Sequence, residues 1–137
     1  MEGHRPPGRH AQANRLILET IHASIAGEQI DSSVDGRVII EPGARLERST
    51  VRGPAIIGAG AVLVDAYIGP YTSVGPSVRI EKAEIEYSIV LEGSSVSNLD
   101  GRVEASLIGK DVTISRTPSL PRAYRFVVGD KAEIAIL

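Results

Sequence analysis

The sequence predicts an all-β solenoid, a parallel coil of hexapeptide repeats with one N-terminal α-helix and a C-terminal strand tail. From residue 40 to residue 114 an aliphatic residue returns at intervals of mostly five or six positions, which fits neither a helix nor an alternating strand. A small or β-branched residue lies two positions before nearly every one of them. The aliphatic positions are Ile40, Leu46, Val51, Ile57, Leu63, Ile68, Val74, Ile80, Ile85, Val90, Val96, Val103, Ile108 and Ile114.

This period indicates a triangular coil in which short, flat strands meet at tight corners. One aliphatic side chain on each side points inward and stacks on its equivalent in the next coil, and the small residue fits the cramped space near the corner. Gly follows the aliphatic residue at positions 58, 69, 75 and 109, where we expect it to adopt the backbone angles of a corner. Glu follows it at positions 41, 47, 81, 86 and 104, and Glu92 follows Leu91; we expect solvated side chains at all six.

The spacing of equivalent residues predicts coils of 17 residues at first and of about 18 residues later. The register is ambiguous at one point: Leu91 would keep the 17-residue spacing, whereas Ser88 in the preceding small position favours Val90. The segment SNLDG (97–101) interrupts the period, and its Asp100-Gly101 pair predicts a turn in a surface loop.

The N-terminal part predicts a different structure. Residues 1–12 are rich in Pro, Gly, His and Arg, so we expect a disordered lead. Residues 13–27 predict a capping helix, which Gly27 can end. Its broad apolar face comprises Leu16, Ile17, Ile21 and Ile25. Such a short helix is marginal in water, so we expect it to pack on the end of the solenoid.

The coil and its closing strands are expected to span residues 34–137. Asp35-Gly36 forms the turn into the first coil, after the polar residues of 28–37. Two prolines in SRTPSLPRAYR (115–125) break the pattern after Ile114. The following RFVVGDKAEIAIL (125–137) predicts one or two short strands, which would close the coil or pair with a neighbouring subunit.

Composition excludes several classes of function. A net charge of −2 does not favour nucleic acid or an anionic membrane as a partner. The chain has no cysteine, so disulfides and thiolate metal sites are excluded. No apolar run approaches the length of a membrane span, and no signal peptide is recognisable at the N-terminus, so we expect a cytoplasmic protein.

Acyl transfer is the first chemistry to consider, because hexapeptide coils are common among acyltransferases that use a His as general base. The coil from residue 34 to residue 137 contains no His. Glu86, Glu92 or Asp100 could replace it in principle, but corner carboxylates are more often a solvated face. The histidines, His4, His10 and His22, all precede the coil, and a solvent or structural role is favoured for them over metal binding.

Anion or nucleotide binding is the second chemistry to consider. Arg116, Arg122 and Arg125 surround the proline-rich break, where guanidinium groups could hold a phosphate and Tyr124 could stack on a base. Surface salt bridges or a subunit contact are the more frequent role for such arginines. The glycines of IIGAGAVL (56–63) follow the corner period, and neither a helix signature nor a lysine follows them, so a phosphate loop is not expected there.

Several segments together resemble one family. The run VDGRVIIEPGARLERSTVRGPAIIGAGAVLVDAYIGPYTSVG (34–75) is followed by IEYSIVLEGSSV (85–96), GRVEASLIGKDVTI (101–114) and PRAYRFVVGDKAEI (121–134). In this order they resemble the C-terminal left-handed β-helix of the long-form glucose-1-phosphate thymidylyltransferases. ANRLILETI (13–21) is similar to the helix that leads into that coil. The resemblance covers nearly everything after residue 12.

The resemblance implies a place in deoxysugar-nucleotide synthesis. The full-length family joins dTTP and glucose 1-phosphate to form dTDP-glucose and pyrophosphate, with magnesium as the expected cofactor. Its nucleotide-binding motif G-x-G-T-R-L has no counterpart here, so no catalytic, cofactor-binding or metal residue is carried over. We therefore expect a non-catalytic fragment, detached from the catalytic domain, that needs no cofactor of its own. It would act in assembly or regulation, partnered by its own copies or by a separate nucleotidyltransferase domain.

Overall fold

The computed structural model describes residues 9–137, which form a three-sided parallel β-solenoid with one α-helix, α1 (Arg9–Leu18). The expected disordered lead therefore lies, for residues 1–8, outside the described residues. The strands are β1 Ser24–Ile25, β2 Glu28–Ile30, β3 Ser33–Asp35, β4 Val38–Ile40, β5 Arg45–Glu47, β6 Thr50–Arg52, β7 Ala55–Ile57, β8 Val62–Val64, β9 Tyr67–Ile68, β10 Thr72–Val74, β11 Arg79–Glu81, β12 Glu84–Glu86, β13 Ile89–Val90, β14 Ser95–Ser97, β15 Val103–Glu104, β16 Leu107–Ile108 and β17 Thr113–Ser115.

Every third strand belongs to the same sheet, so each side of the prism is one parallel sheet. Sheet A has the order β1-β4-β7-β10-β13-β16, sheet B has β2-β5-β8-β11-β14-β17, and sheet C has β3-β6-β9-β12-β15. Three successive strands make one coil. The described residues thus form five complete coils, and β16 and β17 begin a sixth.

The register confirms the aliphatic columns. Twelve of the fourteen aliphatic positions are buried, and Val103 and Ile114 in the last coils pack partly buried against the core. Val90 pairs with Val74 and is the inward residue, as Ser88 indicated, and Leu91 is not. The early 17-residue and late 18-residue spacings hold, but the sequence did not predict the shorter coil that joins Val74 to Val90.

Serines in the small positions connect neighbouring coils. The Ser88 hydroxyl accepts a hydrogen bond from the backbone N–H of Ser106 at 3.1 Å and donates to the Glu86 carbonyl at 2.9 Å. The Ser94 hydroxyl accepts from the N–H of Val112 at 3.0 Å in the same way. Each hydroxyl is buried, so these bonds satisfy its polar atoms while they tie one coil to the next.

The glycines that follow the aliphatic positions are not explained by the backbone angles that the sequence analysis expected. Gly58, Gly69, Gly75 and Gly109 do not adopt left-handed backbone angles. A Cβ at Gly58 would lie 2.6 Å from the carbonyl carbon of Gly75 in the next coil, closer than side chains approach. The requirement there is space between coils. Left-handed angles occur at other corner glycines, of which Gly60 with a φ of 71° is one.

One corner carries a ladder of alternating charge. The residues between sheets B and C that have positive φ are, coil by coil, Asp31, Arg48, Asp65, Lys82 and Asn98. Arg48 Nε donates to Asp65 Oδ1 at 2.8 Å. This hydrogen bond, together with the charges of Arg48 and Lys82, holds the pKa of the Asp65 carboxyl below its ordinary value. The ladder thus offsets part of the strain of left-handed backbone angles at residues other than glycine.

The helix differs in position from the expectation of residues 13–27. It begins at Arg9 and ends at Leu18, where the Thr20 hydroxyl and the Thr20 N–H both donate to the Ile17 carbonyl. Ile25, expected on the helix, lies instead in β1 and pairs with Ile40. The apolar spacing after Leu18 therefore belongs to the coil, and a complete first coil, β1 to β3, precedes the predicted start.

α1 does not cap the end of the solenoid; it lies along sheet A. Its first turn approaches Leu107 in β16, Asn14 is bonded to Ser73 in β10, and the guanidinium of Arg37, just before β4, donates to the Glu19 carbonyl. The helix therefore runs opposite to the direction in which the coils advance. Leu18 at its end is fully buried.

An outward column on sheet A explains this position. The register aligns Ser24, Ile39, Ile56, Ser73, Ile89 and Leu107 on the outer face of the sheet. This column is apolar apart from its two serines, and the corresponding positions on sheets B and C are mostly polar. A helix that covers the column removes apolar surface from water. Asn14 lies opposite the polar gap at Ser73.

The predicted C-terminal strands are absent. β17 ends at Ser115, and residues 116–137 form no strand. Pro118 and Pro121 lack the backbone donor that a sheet ladder needs, and the apolar residues after them do not continue the coil period. We call residues 116–137 the arm.

Candidate functional site

The carboxylates that could replace a catalytic histidine are separated. Glu86 accepts a hydrogen bond from Arg102 Nη1 at 2.7 Å on sheet C. Glu92 is exposed at a corner, and Asp100 accepts from Arg116 in the loop before β15. His10 lies on α1 and His22 follows it, both exposed and neither in contact with these carboxylates, and His4 lies outside the described residues. The structure brings no acid–base pair together at these positions.

The outer face of sheet C holds a charged network around one aromatic ring. The guanidinium of Arg102 lies 5.5 Å from the ring centre of Tyr67, and that of Arg52 lies 5.9 Å from it. Arg102 also donates to Glu84, which raises the pKa of its guanidinium. These side chains interact with one another at the surface, so we assign the network a structural role on sheet C.

Among residues 9–137 no group of three or more His, Asp or Glu side chains could hold a metal ion. A shallow hollow of about 310 Å³ lies at the charge ladder, lined by Arg48, Asp65, Tyr67 and Lys82 among others. Arg48 and Asp65 form an ion pair within it. The glycine stretch 56–63 forms the corner between β7 and β8, as its period indicated. In the same described part of the chain no helix is long and apolar enough to cross a membrane.

The arginines after the coil are not brought together around a ligand site. Arg116 is paired with Asp100, whereas Arg122 and Arg125 make no ion pair with another described residue. The Tyr124 ring stacks on Phe126 with ring centres 6.0 Å apart. The nucleotide site suggested by Arg116, Arg122, Arg125 and Tyr124 stays a prediction.

The arm is the most exposed part of the molecule. Every residue from 116 to 137 is exposed, and the arm makes no strand pairing. Its exposed large apolar side chains are Leu120, Tyr124, Phe126, Val127, Val128, Ile134, Ile136 and Leu137. A surface of this kind is typical of a segment that contacts another protein surface. The sequence did identify its apolar residues, but not that they stay exposed.

The other candidate surface is the open end, which we define as the outer edge of β1, β2 and β3. Ile25 and Ile108 occupy the same inward column at opposite ends of sheet A. Ile108 is 6% exposed, but Ile25 is 51% exposed. The first coil therefore leaves apolar surface uncovered. Val34, which pairs with Val51 at the 17-residue spacing, is the signal by which this coil could have been found.

The chain is similar in sequence to part of several nucleotidyltransferases. It is 43% identical over 126 residues to a glucose-1-phosphate thymidylyltransferase of Streptomyces antibioticus and 42% identical over 127 residues to one of Streptomyces griseus. It is 40% identical to a low-salt glycan biosynthesis nucleotidyltransferase of Haloferax volcanii. Each match covers 91% of this chain.

The chain matches only part of each relative. The chain spans about a third of the length of these relatives, 35% of both Streptomyces proteins and 36% of the Haloferax protein. No protein-family model matches the chain. The matched region has the repeat pattern that the structure shows to be a β-solenoid. The chain is thus a homologue of the C-terminal part of glucose-1-phosphate thymidylyltransferase.

Proposed function

We propose that this chain is the assembly or regulatory module of a glucose-1-phosphate thymidylyltransferase. In this proposal the transfer of a thymidylyl group to glucose 1-phosphate takes place on a nucleotidyltransferase domain, with magnesium as its cofactor. The solenoid holds subunits together or transmits their state. The identity of 40 to 43% to nucleotidyltransferases supports the assignment to this enzyme class.

The exposed arm carries the proposal of an assembly role. Its apolar side chains, Phe126 to Val128 and Ile134 to Leu137, face water in the single chain. Full burial of an exposed side chain of this size gains roughly 1.5 to 3 kcal/mol, and those that are half exposed would gain about half as much. A partner surface that covers several of them would therefore be held firmly. The solenoid body, by contrast, buries its aliphatic columns internally.

Light scattering after size-exclusion chromatography tests the assembly role. We expect the mass of the purified 137-residue chain to exceed that of a monomer and to rise with concentration. A strictly monomeric, folded species at high concentration would contradict the proposal.

An enzymatic assay tests the division of labour. The chain is incubated with dTTP, glucose 1-phosphate and magnesium, and pyrophosphate release is measured with and without a separately produced nucleotidyltransferase domain of a relative. We expect no turnover by the chain alone and a change in the activity or the mass of the domain on mixing. Formation of dTDP-glucose by the chain alone would refute the proposal.

A further inference from the structure

We propose that the arm of one copy covers the open end of a second copy, with Arg122 and Arg125 facing Asp31 and Asp35. The inference rests on the proposed assembly role and names both the partner and the contact. It places the last coil of one copy against the first coil of the next, head to tail.

The open end has the apolar surface that such a contact requires. Ile25 is half exposed, although its equivalents Ile40 and Ile57 in the next coils are fully buried. Ile30 on β2 adds a further exposed apolar side chain at the same end. The arm offers the matching apolar surface at Phe126 to Val128. Contact between the two would bury the first coil as the middle coils are buried.

The backbone of the open end also lacks partners on one side. β1, β2 and β3 are the terminal strands of sheets A, B and C. The outer edge of a terminal strand presents free N–H and C=O groups, to which an extended segment of another chain can bind. The arm is such a segment, because none of its residues is in a helix or strand.

Charge selects the arm as the occupant. Residues 24–36 of the first coil carry Glu28, Asp31 and Asp35 and no Lys or Arg. Glu28 is held by Arg45, whereas Asp35 has no hydrogen bond or ion pair with another described residue. Asp31 lies near Arg48, but the hydrogen bond of Arg48 goes to Asp65. Residues 116–129 of the arm show the opposite pattern, with three arginines and no acid.

Two of the three arginines in residues 116–129 likewise have no acidic partner among the described residues. Arg116 is held by Asp100, whereas Arg122 and Arg125 are without an ion pair among the described residues. Two arginines of the arm therefore match two carboxylates that flank β3. Opposite charges at a docking surface favour the correct partner and the correct orientation.

The arm is positioned for a second copy and not for its own open end. Arg116 binds Asp100, and the Leu137 side chain lies against Gly101, in the loop that leads to β15. Both ends of the arm are thus fixed at the last strand of sheet C, and β3 is at the opposite end of that sheet. In a head-to-tail stack the open end of the next copy comes directly to the arm.

A charge-reversal experiment on the full chain tests the contact. One variant carries Arg122→Glu and Arg125→Glu; the other carries Asp31→Lys and Asp35→Lys. At residue 31 the backbone accepts lysine, since Lys82 occupies the equivalent corner position with a similar φ of 51°. The new lysine would lie near Arg48, which keeps its hydrogen bond to Asp65, so we expect this variant to fold with a somewhat lower thermal midpoint. Circular dichroism and thermal unfolding verify that both variants fold, and sedimentation velocity measures association.

We expect each variant alone to associate at least about tenfold more weakly than the wild type. An equal mixture should associate again, because both pairings, wild-type arm with wild-type end and reversed arm with reversed end, are then available. A control with Glu41→Lys and Glu92→Lys, at exposed corners outside the first coil, should associate like the wild type. Because a head-to-tail contact does not close on itself, the mass should keep rising with concentration.

The outcomes separate this inference from the assembly role. If the wild type associates but neither reversal weakens it, the arm contact is wrong and the assembly role stands. If the reversals weaken association and the mixture fails to recover it, the pairing of these charges is wrong. If the wild type is monomeric at every concentration, both proposals fail. If the reversals change only the thermal stability of a monomer, the arm binds its own chain and the inference is overturned.

Discussion

The Ser73 hydroxyl donates a hydrogen bond to the Asn14 side-chain carbonyl, and this pair fixes the helix on the solenoid. The Asn14 amide in turn donates to the Tyr71 carbonyl at 3.2 Å. Ser73 interrupts an outward apolar column, and Asn14 is the polar residue on the contacting face of α1 that meets it. Shifting the helix by one turn would leave both side chains without partners, so the pair sets the register of helix on sheet.

A double-mutant cycle should detect this pair. We expect Asn14→Ala to lower the free energy of unfolding by about 1 to 2 kcal/mol, because the Tyr71 carbonyl and the Ser73 hydroxyl lose a partner. Ser73→Ala should cost less, and the two changes together should cost less than their sum. Urea unfolding measures all three variants. Strict additivity would show that the hydrogen bond contributes nothing to stability.

Leu18 should be the main apolar anchor of α1. Its side chain is fully buried, whereas that of Leu16, two residues earlier, is 66% exposed. We expect Leu18→Ala to lower the free energy of unfolding by about 2 to 5 kcal/mol. Leu16→Ala, the matched control, should change it by no more than about 0.5 kcal/mol. Equal effects of the two changes on the urea midpoint would contradict this docking of the helix.

Gly58 should not tolerate a side chain. An added Cβ would lie 2.6 Å from the backbone of Gly75, which the coil-to-coil hydrogen bond from the Gly58 N–H to the Val74 carbonyl holds in place. We expect Gly58→Ala to lower the thermal midpoint clearly, by overpacking of about 1 to 3 kcal/mol. At Gly129 an added Cβ would meet nothing within 4 Å. Gly129→Ala is therefore the control and should leave the midpoint unchanged or slightly raised.

Ala105→Gly should stabilise the chain. Ala105 is exposed at a corner with a φ of 48°, an angle that costs residues with a Cβ roughly 1 to 2 kcal/mol. Glycine relieves that strain but loses more entropy on folding, so we expect a net gain of about 0.5 to 1 kcal/mol. The same change at the exposed helix residue Ala13 should destabilise by about 1 kcal/mol. Chemical unfolding measures the free energy of unfolding of both variants. A change of the same sign in the two variants would contradict the expected relief of strain at Ala105.

The Arg48–Asp65 pair should make stability depend on pH in the acid range. Because the hydrogen bond from Arg48 lowers the pKa of Asp65, the folded chain binds this proton more weakly than the unfolded chain does. The stabilisation is therefore present above the unfolded pKa and is lost as the pH falls through the lower folded pKa. We expect Asp65→Asn to be less stable than the wild type at pH 7, and this difference to shrink below about pH 4.

Urea unfolding from pH 3 to pH 7 measures this difference. Arg48→Gln removes the partner and should show the same convergence with the wild type in acid. A gap between wild type and Asp65→Asn that stays constant down to pH 3 would mean that the ion pair does not account for the effect.

The interior of the coil was predictable from sequence because each aliphatic residue has one place in a repeating geometry. Ser88 favoured Val90 over Leu91, and the structure decides for Val90. The first coil was missed because Gln29 stands where the column otherwise has Leu46 and Leu63, so the period is broken there.

The surface features were harder to predict. The face that α1 covers could be predicted only in part from apolar doublets such as Ile39-Ile40 and Ile56-Ile57, because Val62-Leu63 on sheet B shows the same pattern without a covering helix. The exposure of the arm could not be predicted, because the apolar spacing of residues 125–137 is the same for a strand that pairs and for one that finds no partner. Whether a partner exists depends on surfaces far away in sequence or in another molecule.

The charge ladder at the corner between sheets B and C constrains how such a solenoid can change its length. Asp31, Arg48, Asp65 and Lys82 alternate in sign, so removing one of the inner coils would set two like charges side by side. Removing or duplicating two adjacent coils together would keep opposite charges next to each other among these residues. At this corner, lineages that lengthen or shorten the prism would be favoured to do so in even steps.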